Sequence, residues 1–137
     1  MIQRIQTIWL LLAGIAALLT IQFPFYSGIN DPLVTYHELT ALNGGIVIML
    51  ATLLIAVLAF VCLALFKNRT TQLRLCVAAI IVEAVLIILY YKQVTTFTAG
   101  TYSLTAILHP IIIILFVLAA RGINNDEKII KDSNRLR

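Results

Sequence analysis

Two ionisable side chains, Glu83 and His109, lie inside long apolar stretches and are the strongest candidates for chemistry in this sequence. Glu83 lies in LRLCVAAIIVEAVLIILYY, residues 73–91, and His109 lies in the last apolar stretch, residues 103–121. At a helical rise of about 1.5 Å per residue, Glu83 is roughly 12 Å from the end of its stretch, and His109 is roughly 9 Å from the start of its own. These similar depths predict a hydrogen bond or an ion pair between the two side chains on neighbouring helices.

An ionisable group inside hydrocarbon is energetically expensive, so this pair is a functional-site hypothesis by default. In one interpretation, Glu83 is a proton or cation site and His109 is its relay. In a second the pair only fixes helix packing, and in a third Glu83 faces a partner subunit. We favour packing over transport, because a transporter needs further polar groups or a water-filled cavity. Thr20, Gln22 and Asn43 are candidates on neighbouring spans, but the sequence does not show that they converge.

Other motifs that carry chemistry are incomplete. His37-Glu38 resembles half of an HExxH zinc motif, but Ala41 stands where the second histidine would be. Cys62 and Cys76 form no CxxC pair, which favours buried, inert thiols over thiol oxidation. No Ser/His/Asp set, metal-spaced ligand group or phosphate-binding loop is visible. We therefore expect no enzymatic activity, no catalytic residue, no cofactor and no metal.

The composition is that of a membrane protein. The chain has 137 residues, of which 61% are hydrophobic and 12% charged, and its mean hydropathy is +1.01. A soluble domain has about 25% charged residues, and a membrane span needs about 20 mostly apolar ones. We predict an all-α integral membrane fold, a single domain of four antiparallel transmembrane helices followed by a short C-terminal helix or tail. The predicted spans are residues 5–25, 44–66, 73–91 and 103–121, and the tail is 122–137.

Charge places the ends of these spans. The net charge is +4, and every basic residue except Lys92 lies at the N-terminus, between the second and third spans, or after the fourth. These regions share one side, which the positive-inside rule makes cytoplasmic, so both termini are predicted to be inside. The basic residues of the tail are predicted to bind anionic head groups or to dock a partner; they are Lys128, Lys131, Arg135 and Arg137. Nucleic acid is set aside as a partner, because the tail also carries three acidic residues, Asp126, Glu127 and Asp132.

Two local features bear on the helices. Pro110 has no backbone N–H and disturbs the carbonyl of Ala106, so it predicts a kink in the fourth span. Aromatic residues cluster near the ends of the spans, where they predict interfacial belts. The belt residues are Phe23, Phe25, Tyr26, Tyr90, Tyr91 and Tyr102.

Both ends of the chain carry a recognisable pattern. MIQRIQTIWLLLAG at 1–14 and NNDEKIIKDSNRLR at 124–137 resemble a family of short, four-span inner-membrane proteins from Bacteroidota, domain of unknown function 4293. The C-terminal pattern is matched by Asp126, Glu127, Ser133, Arg135, Leu136 and Arg137, and Asn134 departs from it, because the family pattern has Asp there. The resemblance implies location and topology, and it implies no activity, cofactor or catalytic residue.

The function predicted first is a non-enzymatic accessory or scaffold subunit of a larger membrane protein complex in the bacterial inner membrane. Small size, the absence of a catalytic constellation and a single buried acid favour this prediction. The partner is expected to be a larger membrane protein, or a second copy in a homo-oligomer. The alternative is a small proton-coupled transporter that uses Glu83 with His109.

Overall fold

The computed structural model describes residues 5–29 and 36–135, and the fold class of this part is all-α. Four helices are long and apolar enough, by length and composition, to cross a membrane. They are α1 Ile5–Gln22, α2 Ile46–Ala64, α3 Arg69–Val94 and α4 Leu108–Arg135. A short 3₁₀ helix, Leu104–Ile107, leads directly into α4.

The helices form a ring in which each packs against two neighbours. α1 and α3 both contact α2 and α4. The α1–α2 and α3–α4 connections meet at one end of the bundle, here called the sheet end, and Leu65–Asn68 joins α2 to α3 at the opposite end, here called the loop end. Consecutive helices therefore run in opposite directions, and α3 and α4 are neighbours.

The sheet end carries an element that the sequence did not predict. The two connections there form a three-stranded antiparallel sheet in the order β2-β1-β3. The strands are β1 Tyr26–Ile29, β2 His37–Leu39 and β3 Ala99–Tyr102. The sheet ties the two connections together and fixes the ends of α1 and α3 relative to each other.

Glycine makes the central strand pairing possible. Gly28 lies opposite Gly100 in the β1–β3 register. A Cβ on Gly100 would lie 2.5 Å from the Ser27 carbonyl oxygen and 2.7 Å from the Gly28 Cα, so a side chain there would collide with backbone. The Tyr26 ring covers both glycines, with its edge 3.1 Å from a Cβ built on Gly28. The close pairing therefore depends on the absence of side chains at Gly28 and Gly100 and on the Tyr26 ring that covers them.

The outer surface of the helices is apolar, and the interior combines apolar side chains with several polar ones. Large apolar side chains such as Leu53, Val85 and Ile88 are exposed on the helix surfaces. The interior holds the polar side chains Gln6, Thr52, Gln72, Glu83 and His109 among the described residues. An apolar outer surface with the polar groups held inside is what a lipid solvent requires, because lipid cannot satisfy polar groups.

The ends of the helices differ from the predicted boundaries of the spans. α1 ends at Gln22 rather than at 25, because Pro24 cannot continue the helical hydrogen bonds and Phe25 already bonds to Leu39 of β2. α3 begins at Arg69 and ends at Val94, rather than running from 73 to 91. Its polar first turn adds Gln72 to the buried face of the helix.

The chain after the fourth span continues as helix. α4 runs to Arg135 without the break that was predicted at 122. Ile123 is fully buried, and Gly122 packs so closely on α1 that a Cβ there would lie 3.2 Å from the Cβ of Gln6. The first residues of the predicted tail are therefore part of the bundle.

Pro110 lies in the first turn of α4. The backbone before it is 3₁₀ helix, and the change to α-helix occurs at Leu108. Proline is tolerated in the first turn of a helix, where its missing N–H has no intrahelical partner. The Thr105 hydroxyl, within the 3₁₀ turn, donates a hydrogen bond to the Pro24 carbonyl and ties this entry to the end of α1.

Candidate intramembrane polar site

The site is a carboxylate–imidazole pair between α3 and α4. His109 Nδ1 lies 2.7 Å from Glu83 Oε1. Glu83 is 1% exposed and His109 is 2% exposed, so the whole pair lies inside the bundle. The distance is that of a charge-assisted hydrogen bond. The structure thus brings together the two side chains that the sequence placed at similar depth.

Helix geometry explains why Glu83 faces inward. The buried residues of α3 repeat alternately every four and three positions, which is the stripe of an inward-facing helix. They are Gln72, Cys76, Ala79, Glu83, Leu86 and Tyr90. His109 lies in the first turn of α4, which the sheet end holds beside the second half of α3. A short connection and one helical stripe are sufficient to place the pair.

Two aromatic rings, Phe25 and Tyr90, cover the pair on the side of the sheet end and are called the aromatic lid below. Their centroids are 4.6 Å apart and the rings are stacked, with 17° between their planes. The His109 ring lies 5.3 Å from Phe25 and 5.0 Å from Tyr90, measured between centroids. Tyr102 of β3 packs edge-on against Phe25 at 6.0 Å. The lid separates the pair from the sheet end.

The lid corrects the sequence interpretation of two aromatic residues, and a third predicted belt residue, Tyr26, is also buried, over the paired glycines. Phe25 and Tyr90 were predicted to lie in interfacial belts, but both are buried against the polar site. The neighbouring rings Phe23 and Tyr91 are exposed, as a belt requires. The difference arises because Phe25 follows Pro24 and turns back over the bundle as β1 begins.

Tyr90 of α3 and Thr52 of α2 are further buried polar side chains of the interior, each 1% exposed. Thr52 donates its own hydrogen bond to the Ile48 carbonyl, 2.8 Å away. Glu83 Oε2 is buried and has no hydrogen-bond partner among the described residues. The carboxyl group is therefore satisfied at one oxygen, and its other oxygen can accept a proton or a donor.

The further polar residues considered for a transport path do not join this site. Thr20 is buried but donates to its own helix, at the Ala17 carbonyl 2.7 Å away. Gln22 and Asn43 are exposed at the sheet end. Within the described ranges, no group of three or more His, Cys, Asp and Glu residues could hold a metal ion. The expectation that the protein holds no metal stays a prediction.

A second polar layer lies nearer the loop end and was missed by the sequence interpretation. Gln72 Nε2 donates to the Cys62 carbonyl at 2.9 Å, and the Cys62 and Cys76 sulfurs lie 3.9 Å apart. Gln6 is also buried, and the Oε1 atoms of Gln6 and Gln72 have no partner among the described residues. Gln72 is eleven residues before Glu83, or about 16 Å along α3 at roughly 1.5 Å per residue. The alternation of four-residue and three-residue steps back from Glu83, through Ala79 and Cys76, was the signal that could have found Gln72.

Three of the four basic residues proposed for docking lie on the last part of α4. Lys128 is exposed, and Arg69 at the start of α3 pairs with Asp126 at 3.7 Å. Lys131 and Arg135 lie in α4, but their side chains are outside the described part of the structure. Arg137 lies outside the described residues. The described basic side chains other than Lys92 gather at the loop end.

Comparison with known proteins gives one family. A search of the curated proteins and a search of the solved structures each found no match. A family model described as Domain of unknown function (DUF4293) matches residues 2–136, essentially the whole chain, which confirms the resemblance carried by the two termini. The chain therefore belongs to this family.

Proposed function

We propose that this protein is a non-enzymatic accessory or scaffold subunit of a larger membrane protein complex in the bacterial inner membrane. Its four apolar helices are compatible with a multi-pass membrane protein. The loop end is assigned to the cytoplasmic side, with both termini there, because the basic side chains gather at that end. The described ones are Lys67, Arg69, Arg74, Arg121 and Lys128. These side chains meet anionic head groups and set the depth of the bundle.

The enclosure of the Glu83–His109 pair is the observation that carries the proposal. Both side chains are almost fully buried within one chain, and the aromatic lid closes the site towards the sheet end. A pair in this setting acts as a clamp between α3 and α4. The third interpretation, in which Glu83 is satisfied by a partner subunit, is disfavoured because His109 of the same chain already meets it.

The sheet end supplies the docking surface of the proposed subunit. β3 is an edge strand, and all four of its residues are exposed. An edge strand presents unpaired backbone groups to which an extended segment of a partner can add. Leu104, which follows β3, is 91% exposed and offers an apolar contact beside the edge. We assign β3 and Leu104 as the contact with the larger subunit.

Site-specific cross-linking tests this assignment. A photo-reactive phenylalanine analogue is placed at Thr101 in β3, and in a control at Leu54 on the exposed apolar face of α2. In native membranes, Thr101 should cross-link to one larger membrane protein, which should also co-purify in stoichiometric amount in mild detergent. Leu54 should give no such adduct, because its neighbours are lipid.

Two outcomes would contradict the assignment. Adducts with the same protein from both positions would show unspecific crowding rather than docking at β3. An adduct of Thr101 with a second copy of this chain would make the assembly a homo-oligomer and remove the larger partner.

A second candidate function is proton-coupled transport, and one observation favours it. Glu83 Oε2 is buried without a hydrogen-bond partner among the described residues, so this oxygen has a lone pair that can accept a proton. His109 is placed to relay that proton, since it already bonds to Oε1. This candidate requires that proton movement across the membrane depend on Glu83. The scaffold proposal requires that proton movement across the membrane be independent of Glu83.

A further inference from the structure

Two adjoining clefts lie at the sheet end between β2, the start of α2 and the end of α3. One has a volume of about 170 Å³ and is lined by polar side chains that include Glu38, Asn43 and Gln93. The other has a volume of about 280 Å³ and is lined by Val47, Ile48, Leu89 and Lys92. Gln93 and Thr96 line both, so the clefts meet. Together they form a site that is polar at one end and apolar at the other.

The side-chain oxygen of Gln93 lacks a hydrogen-bond donor at this site. Its Oε1 is buried and has no partner among the described residues. A Cβ on Gly44 would lie 3.2 Å from that oxygen, so the bare backbone of Gly44 is what leaves room for the amide. A buried acceptor left without a donor costs about 1–3 kcal/mol. Gln93 lines both clefts, so a rotation of its amide would present this oxygen to a ligand with an N–H or O–H group.

Charges of opposite sign lie at the two parts of the site. Glu38 lines the polar cleft and Lys92 lines the apolar cleft, and both are exposed. α2 begins beside them, and its N-cap residue Gly45 has no side chain that could cap the N–H groups of the first turn. Such an end, next to a lysine, suits a phosphate group. A ligand with one cationic and one anionic group therefore matches the site.

The apolar cleft extends this polar site along the outside of the bundle. Val47 is exposed and Leu89 is half-buried, in the groove between α2 and α3. A hydrocarbon chain lying along this groove would remain in contact with the surrounding bilayer. The occupant is thus expected to be a molecule of the membrane rather than a soluble metabolite.

We propose that this site binds a phospholipid with a phosphoethanolamine head group. The ammonium donates to Gln93 Oε1 and meets the Glu38 carboxylate. The phosphate meets Lys92 and the first turn of α2, and one acyl chain follows Val47 and Leu89. A phosphocholine head group has no N–H to donate, and a phosphoglycerol head group has no cation for Glu38.

Native mass spectrometry of the detergent-purified protein tests the site with three added lipids: phosphatidylethanolamine, phosphatidylcholine and phosphatidylglycerol. One phosphatidylethanolamine should bind with about tenfold preference over each of the others, as expected when a charge-assisted hydrogen bond is lost. Gln93→Met keeps the length of the side chain without its acceptor, and it should abolish the preference over phosphatidylcholine. Lys92→Gln should weaken binding of phosphatidylethanolamine about tenfold.

Matched controls separate this site from general lipid adhesion. Lys67→Gln removes a lysine at the loop end and should leave the bound phosphatidylethanolamine unchanged. Soluble glycerophosphoethanolamine, which lacks acyl chains, should not bind at the same concentration. Circular dichroism checks that each variant has the fold and thermal stability of the wild type, so that unfolding is not mistaken for loss of binding.

Three results would overturn the proposal. Equal binding of the three lipids would show that the head group is not recognised. Unchanged preference in folded Gln93→Met would remove the role of its oxygen. Binding of the soluble head group as strongly as the lipid would show that the apolar cleft holds no chain.

Discussion

Replacing His109 with leucine should lower the free energy of unfolding by about 3–5 kcal/mol, because it leaves the Glu83 carboxyl buried without its partner. Glu83→Leu should have a similar effect, since it leaves the imidazole inside the bundle. Chemical or thermal unfolding of the detergent-purified protein, followed by circular dichroism, measures both changes. These are among the largest effects expected of any single substitution in the described structure.

The double variant Glu83→Leu/His109→Leu is the control for this prediction. Replacing a buried pair by apolar side chains of similar volume is often neutral or stabilising. We therefore expect the double variant to unfold within about 1 kcal/mol of the wild type, so that the two losses do not add. Additive losses would mean that the two side chains contribute independently and that the pair is not the clamp between α3 and α4.

The aromatic lid provides the second large effect. Phe25→Ala removes a ring that stacks on Tyr90 and packs against His109 and Tyr102. Truncation of a buried phenylalanine costs about 3–5 kcal/mol in soluble proteins, and we expect a value near the lower limit because lipid also solvates apolar groups. Unfolding measured as for the pair gives the size of this change.

Phe23→Ala is the matched control for the lid. Phe23 is 46% exposed, whereas Phe25, two positions later, is 9% exposed. The change at Phe23 should shift the free energy of unfolding by less than about 1 kcal/mol, as is usual for surface positions. Equal losses at the two positions would show that both rings lie in an interfacial belt, as the sequence predicted, and that no lid covers the pair.

The contact between Glu83 and His109 could be predicted because few quantities determine it. A constant helical rise gives the depth of each side chain, and a short connection makes α3 and α4 neighbours. Neither quantity depends on side-chain packing. The unpartnered Oε2 of Glu83 could not be predicted in this way, because it depends on how the surrounding side chains pack.

The sheet was not predictable from the sequence for a different reason. β1 and β3 are short, contain glycine and show no alternation of polar and apolar residues. Their pairing depends on the facing glycines Gly28 and Gly100, which are far apart in the chain. The local sequence pattern of either strand cannot indicate such a contact. The lid was missed with it, because Phe25 turns inward only when β1 pairs.

Gln72 shows how a boundary error hides a functional candidate. The predicted spans leave residues 67–72 as the connection between the second and third spans, because these residues are polar. α3 in fact begins at Arg69, since polar residues extend a helix readily beyond its apolar part. Gln72 then continues the inward stripe that contains Glu83. The hydropathy of a sequence indicates which residues contact lipid, and a helix can continue beyond them.

Proton flux in liposomes tests most directly whether Glu83 and His109 form a structural clamp. The wild type and Glu83→Gln are reconstituted at equal density, and proton movement is followed under an imposed pH gradient with a trapped pH-sensitive dye. Glutamine keeps the shape and hydrogen-bonding capacity of Glu83 but cannot exchange a proton. The account predicts that both proteins match the leak of empty liposomes. Flux in the wild type that disappears in folded Glu83→Gln would contradict it and identify Glu83 as a transport site.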